Sequence, residues 1–367
     1  MIVGPLPPPV GGVETVTKAL LESHAFREFE VRHCDTTKGR SKQTQGKFDL
    51  GNMWWAMIHF RRMLSNATSF KPDAVYMPVT ATWSGFWRDA VLALIGRRVG
   101  AKIVGHVHGA WFDRILARKG LTGKLVRVCI SQYDTLLMLG TPWKRLIESY
   151  GYRGNVFIVS PTVSWKCYEE GKTFVRRYEN SFGKGLFVGQ VGARKGVFEL
   201  LEALQCLKVA GKKALMTIVG PPEFKGEWDT VMTCWKKLGL QDIVRFTGPL
   251  EGETLYREFR DNDYLVLPSH SEGLPIVMLE AGMFGLPVVA TPVGAVTDVL
   301  EHERNALIVQ PGDAKGLAEA IERVVKDAEL RKRLGCELRR DVDRYQPDAI
   351  CNRIAVAIVK TIEAKRV

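Results

Sequence analysis

The chain is poor in cysteine, seven in 367 residues, and no two of them form a C-x-x-C pair. Cys34, Cys129, Cys167, Cys206, Cys234, Cys336 and Cys351 are scattered, an odd and unclustered set. That spacing argues against a zinc site or a disulfide scaffold and for reduced thiols in a cytosol. The amino terminus, Met1-Ile2-Val3-Gly4-Pro5, has neither a basic stretch nor an apolar core, so no secretory signal is expected. Long apolar runs are missing as well. The longest, residues 281–296, is interrupted by Gly and Pro and is shorter than a bilayer span, which points to a soluble or peripheral protein. Internal repeats, low-complexity tracts and the G-x-G-x-x-G dinucleotide fingerprint are all absent. Only the ends and the polar, basic stretch 36–47 have the composition of disorder.

Basic charge is abundant but uneven. Residues 1–170 hold 23 of the 52 Lys and Arg and only 13 of the 40 Asp and Glu, while the rest of the chain is nearly neutral. A basic half containing Trp54, Trp55, Trp83, Trp87 and Trp111 can lie on anionic lipid or meet an anionic acceptor; a solvated cationic surface over buried Trp is the other reading. No nucleic-acid-binding motif accompanies the charge, and nucleic acid is not expected as a partner.

Short apolar strands alternate with amphipathic helices from end to end. Strands are expected at 1–3, 31–35, 74–79, 102–108, 135–139, 156–160, 185–189, 214–219, 244–247, 264–268, 287–290 and 306–309. Val197, Leu200, Leu201, Leu204 and Leu207 mark one of the intervening helices; others are read at 53–64 and 86–98. Strand–helix alternation of this kind predicts parallel sheets covered on both faces, with ligands at the carboxyl ends of the strands. The length suits two domains. Residues 164–184 break the alternation, which places a first domain at 1–163 and a second at 164–346, with a last helix from about 347 to the end.

The most informative segment is 269–294, SHSEGLPIVMLEAGMFGLPVVATPVG. A strand ends, a polar loop carries Glu272 and Gly273, and a helix begins near Pro275, proline being favoured in a first helical turn. The amides of Gly273, Leu274, Ile276 and Val277 then point out of the helix amino terminus, where the dipole favours a diphosphate. Glu280 follows Glu272 with seven residues between, two turns along the helix. The two carboxylates can reach different parts of one extended ligand, such as a sugar and a ribose, since carboxylates accept from vicinal hydroxyls.

This segment resembles the signature of the retaining GT-B glycosyltransferases typed by an E-x7-E motif, glycosyltransferase family 4. The resemblance implies two facing Rossmann-like domains, the first binding acceptor and the second a nucleotide-diphosphate sugar, with the carboxyl-terminal helix crossing back to the first. It implies that Glu272 sits at the donor sugar and Glu280 at the ribose. Segment 185–204, GLFVGQVGARKGVFELLEAL, resembles the family's second phosphate grip, normally G-R-x(n)-K-G: Gly189, Lys195 and Gly196 match, but Gln190 stands in the arginine's place, so Arg194 is the substitute candidate. Gly11 and Gly12 resemble the family's amino-terminal glycine loop, although residues 1–3 are short for a first strand and suggest an abbreviated strand or a start placed late. His108 resembles the histidine that contacts a donor-sugar hydroxyl, whereas His106 reads as core and the pair as metal ligands lacks a third partner. Arg245–Gly248, with Thr247, resembles the loop that reads the nucleobase. Asp261-Asn262-Asp263, a metal-binding pattern elsewhere, reads as structural here.

The implied reaction is transfer from a nucleotide-diphosphate sugar to a glycan or lipid-linked acceptor, with retention of configuration and no metal or other cofactor. A bacterial-type surface polysaccharide pathway, in the cytoplasm or on the inner face of the plasma membrane, would suit it. A non-catalytic sugar-nucleotide-binding subunit and a sugar-nucleotide epimerase are the alternatives.

Overall fold

The structure is a computed structural model that describes residues 1–8, 11–37, 50–109, 111–178, 183–224 and 226–364. Most of the stretch expected to be disordered, from residue 38 to 47, lies outside the described residues. The chain divides into two compact units, 1–164 with 347–367, and 165–346.

In the first unit the strands are β1 (Ile2–Gly4), β2 (His33–Asp35), β3 (Ala74–Thr80), β4 (Lys102–His108), β5 (Thr135–Met138) and β6 (Asn155–Ile158). Its helices are α1 (Gly12–Glu22), α2 (Leu50–Phe70), α3 (Trp83–Arg98), α4 (Phe112–Leu116), α5 (Gly120–Ile130) and α6 (Thr141–Ser149). The sheet runs β2-β1-β3-β4-β5-β6, every pairing parallel. β3 and β4 are buried along almost their whole length, the pattern of strands covered on both faces.

The second unit begins with α7 (Trp165–Thr173), so the stretch read as a break in the alternation opens on a helix. Its strands are β7 (Lys184–Val188), β8 (Leu215–Val219), β9 (Val244–Gly248), β10 (Tyr264–Leu267), β11 (Val288–Ala290) and β12 (Ala306–Ile308). The helices between and after them are α8 (Val197–Val209), α9 (Glu227–Lys237), α10 (Glu253–Asp261), α11 (Ile276–Met283), α12 (Ala314–Lys326) and α13 (Ala328–Val342). This sheet is again all parallel, in the order β12-β11-β10-β7-β8-β9. Leu200, Leu201, Leu204 and Leu207 of α8 enter one core with Phe187, Ile218, Val266 and Ile321. α12 starts cleanly because Asp313 accepts a hydrogen bond from the Gly316 amide (2.8 Å).

The last helix, α14 (Pro347–Glu363), belongs to the first unit. Thr361 meets Thr135 of β5 through a buried hydroxyl–hydroxyl bond of 2.7 Å, and Lys102 donates to the Ala364 carbonyl (2.8 Å). Among the described residues no helix is long and apolar enough to cross a membrane.

Candidate active site

β7 and β10 are neighbours, yet the chain moves from β7 through β8 to β9 on one side and from β10 through β11 to β12 on the other. Their loops therefore leave in opposite directions and open a crevice at the carboxyl ends, the place where such sheets bind ligands. Residues 189–196 follow β7 and residues 268–275 follow β10, so the two most informative sequence segments meet at this point.

Gly196 fixes how closely they meet. Its φ is +70°, in the left-handed region, and a Cβ there would lie 1.9 Å from the Pro268 carbonyl oxygen. The short turn Ala193–Lys195 is thus pressed onto the end of β10. Lys195 Nζ donates to Glu272 Oε1, and Ser269 Oγ donates to the same oxygen at 2.8 Å. The glutamate is buried. The segment after β11 braces its backbone: Ala295 N donates to the Gly273 carbonyl (2.8 Å), and the Thr291 hydroxyl donates to the Ser269 carbonyl (2.5 Å).

Arg194 does not stand free. Its Nε donates to Glu223, one terminal nitrogen donates to the Ser271 carbonyl (3.1 Å), and the other donates to Gln190 Oε1 (2.9 Å). Gln190, which occupies the expected arginine's position, therefore seats Arg194. Sequence reasoning missed Glu223. It is delivered by the turn after β8, where Gly220 approaches the Gly189 carbonyl so closely that a Cβ would lie 1.8 Å from its oxygen. Glu227, also unforeseen, accepts from the Ala193 amide (2.7 Å). The Pro221-Pro222-Glu223 turn after a strand was the available signal. Breaking a buried pair strands a charge, so Arg194→Met should cost about 3 kcal/mol in urea unfolding. Adding Glu223→Gln should recover most of that loss.

Pro275 is the residue capping α11 and lies outside the helix, with φ −71° and ψ 118°. This corrects its expected place inside the first turn: its extended ψ cannot continue a helix, so Ile276 and Val277 open it. Their amides have no partner within the helix, as at any helix start. Gly273, Leu274 and Pro275 are buried beneath that turn. Glu280 lies in the second turn of α11, nearer the helix start than expected because the helix opens only at Ile276; it is half-buried, and among the described residues no donor is bonded to its carboxylate. Burial pushes its carboxyl up to about 7 from 4.5. The unfolded chain releases this proton first, so Glu280 lowers stability as pH rises from 4.5 and does so fully above about 7. Glu280→Gln should accordingly unfold at a higher temperature than the native chain at pH 8, with the difference closing at pH 4.

The remaining residues that the sequence singles out sit on other elements. Thr247 lies at the end of β9, two strands from β7, and its hydroxyl is spent on the Gly248 carbonyl (2.8 Å). Asp263 accepts from the Lys184 amide (2.7 Å) and Asn262 bonds back to Glu258, so the Asp261–Asp263 pattern shapes the entry to β10. In the first unit, Gly11 caps α1 in extended conformation and Gly12 opens it. His106 is fully buried between the Tyr76 hydroxyl (2.8 Å) and the Val159 carbonyl (2.9 Å), a core residue. His108, at the carboxyl end of β4, packs its ring 4.2 Å from that of His106 and leaves Nε2 buried without a partner. Burial and the neighbouring His106 hold it well below the usual histidine range, so it is neutral at physiological pH. Among the described residues no three His, Cys, Asp or Glu are grouped to hold a metal ion.

Residues 180–341 match the family described as glycosyl transferases group 1. An uncharacterised glycosyltransferase of Methanocaldococcus jannaschii is 31% identical over 166 residues, 45% of this chain and 42% of that protein. The sulfoquinovosyl transferase of Arabidopsis thaliana is 28% identical over 172 residues, 46% of this chain and 32% of that protein. The matched segments thus span less than half the length of these curated relatives. Among solved structures, Anabaena HepE in complex with UDP and glucose has a TM-score of 0.70 at 16% identity, covering 98% of both chains. A glycosyltransferase from Rickettsia africae has a TM-score of 0.68 at 14% identity, covering 99% of this chain and 98% of its own. The shared feature is the fold of the whole chain.

Proposed function

With residues 180–341 belonging to the group 1 glycosyltransferases and the whole chain carrying the GT-B fold, we propose that this protein transfers a sugar from a nucleotide-diphosphate sugar with retained configuration. One observation carries the reading. At the switch point of the second sheet, Lys195 and Glu272 form a partly buried pair beside an open helix amino terminus, with Glu280 about one turn into that helix and, among the described residues, without a bonded donor. HepE and the Staphylococcus aureus enzyme TarM were solved with UDP, which supports a nucleotide diphosphate as the ligand class.

In the resting site Glu272 neutralises Lys195. A bound diphosphate is a stronger competing anion, so Lys195 swings to it and the Glu272 carboxylate becomes an acceptor for sugar hydroxyls. Lys195 and the amides of Ile276 and Val277 then stabilise charge on the departing diphosphate, with Arg194 contributing once it loosens from Glu223. With Lys195 gone, Glu272 Oε1 keeps the hydrogen bond from Ser269 (2.8 Å), which suits a positioning carboxylate. The acceptor hydroxyl attacks the anomeric carbon from the side that the diphosphate leaves, its proton passes to the departing diphosphate, and configuration is retained. The cation role falls to Lys195 and the helix, so the reaction needs no metal. Glu280 accepts from the ribose hydroxyls, and His108, neutral and with a free buried nitrogen, hydrogen-bonds a sugar hydroxyl. The acceptor is a glycan or a lipid-linked saccharide.

The test is donor consumption with and without mixed glycan acceptors, followed by anomeric analysis of the product. Acceptor-dependent consumption giving the donor's own anomeric configuration is expected. Nucleotide binding without consumption would instead make the chain a binding subunit, a reading that the engagement of Arg194 by Glu223 favours. Donor affinity also reports Glu280: since its carboxyl holds a proton below about 7, affinity should fall as pH drops from 8 to 6, and Glu280→Gln should flatten that dependence.

A further inference from the structure

The first unit carries a surface that the proposed transfer does not use. The connections β2–α2–β3, β3–α3–β4 and β4–α5–β5 all advance in the same direction across the sheet, so right-handed crossovers put α2, α3 and α5 on one face. α1 and α14 pack together on the opposite face. α2 lies against α3. α5 lies beside α3, clamped at one end by Arg118 stacked on Trp83 (5.1 Å) and at the other by Arg97 donating to the Gln132 carbonyl (3.2 Å).

The outward side of this layer is aliphatic. On α5 the stripe Leu121, Leu125 and Val128 recurs at i, i+4 and i+7 and is exposed by 75%, 47% and 58%. Met57 on α2 (57%), and Val91 and Leu94 on α3, extend it across the layer. Every charged side chain on the three helices is Lys or Arg except Asp89, which is buried and paired with Arg88 at 2.6 Å. Arg61, Arg98, Lys124 and Arg127 of the same helices are exposed. The half-buried Trp83, Trp87 and Trp111 are not its centre.

We infer that this three-helix face docks on a bilayer bearing anionic lipid, its aliphatic side chains entering the headgroup boundary and its cations meeting lipid phosphates. Exposed aliphatic groups and exposed cations on three helices that carry no exposed acid combine the two attractions of an interfacial helix. Charge decides between occupants: two copies of this face would repel each other, and a nucleic acid would leave the aliphatic stripe in water. The inference stands apart from the donor site, because its readout is binding to lipid.

The test is co-sedimentation of the full chain with phosphatidylcholine vesicles, with and without phosphatidylglycerol, at low salt and at about 0.15 M. Partition onto the anionic vesicles should exceed that onto neutral ones by at least about tenfold and fall with salt. Leu125→Glu with Val128→Glu should lower it by at least about tenfold while thermal unfolding and UDP binding stay unchanged. Lys124→Ser with Arg98→Ser should weaken the anionic preference alone. No partition of the native chain at low salt would overturn the inference, as would variants that partition like the native chain. So would a double-Glu variant that instead converts a dimer to a monomer in sedimentation, or native binding to DNA that the double-Glu variant retains while lipid is ignored.

Discussion

Lys195→Ala should lower the rate of sugar transfer by about 10²- to 10³-fold, the loss typical of removing one preorganised group from a developing negative charge. Glu272→Gln should cost about 10²-fold through misplacement of the donor sugar. The two residues are one unit in the resting protein, since Lys195 Nζ is bonded to Glu272 Oε1 and Ser269 supports the same oxygen. Each single change also leaves a partly buried charge unpaired, so each should lose about 1–3 kcal/mol in urea unfolding. Lys195→Met combined with Glu272→Gln should regain much of that stability and none of the activity. Rates and unfolding measured on the four proteins separate the chemical role of the pair from its structural one. Equal recovery of both would mean the pair only holds the loop.

Gly196→Ala should be a severely damaging small substitution in the second unit. Two effects add there: an alanine at φ +70° costs about 1–2 kcal/mol in any setting, and the new Cβ would fall 1.9 Å from the Pro268 oxygen, which forces backbone to move. Gly211 supplies the control. Its φ is also +70°, but a Cβ there meets nothing within 4 Å. Gly211→Ala should therefore lose only the backbone cost, whereas Gly196→Ala should lose more than about 3 kcal/mol. Activity should fall with it, since the turn carrying Lys195 must leave β10. Thermal unfolding of the two variants side by side, with transfer assays, reads the difference.

Every expected strand is present, because parallel strands covered on both faces are short, uninterrupted apolar runs bounded by turn residues. Alternation alone located the switch point once the strand order was known. Lys195 and Glu272, whose segments carry dense local pattern in the sequence, are bonded to each other in the structure, and Glu280 lies on the helix that follows. Pro275 was misplaced by one position, since proline's preference for the first turn says nothing about ψ, and its ψ of 118° is extended. Glu223 was invisible for a different reason: its bond to Arg194 spans 29 residues and depends on two loops meeting at Gly220. The face inferred to dock on lipid overlaps only in part with the tryptophans that the sequence singles out. The tryptophans that drew attention are mostly half-buried, whereas α5 is apolar on both sides: Val126 and Ile130 face the core, and Leu121, Leu125 and Val128 face out. Apolar residues on both sides of α5, interleaved with Lys124 and Arg127, make its outward stripe hard to tell from its core stripe in the sequence.

Thermal unfolding of the native chain and of Glu280→Ala and Lys195→Ala, in the presence of nucleoside diphosphates and their sugars, bears most directly on the switch-point crevice. A ligand at about 100 times its Kd adds about 2.7 kcal/mol to the native state. At least one nucleotide should raise the native Tm by several degrees and should raise neither variant's Tm as far. A native chain indifferent to every nucleotide, or variants stabilised as fully as the native chain, would contradict the assignment of that crevice to a nucleotide-diphosphate sugar.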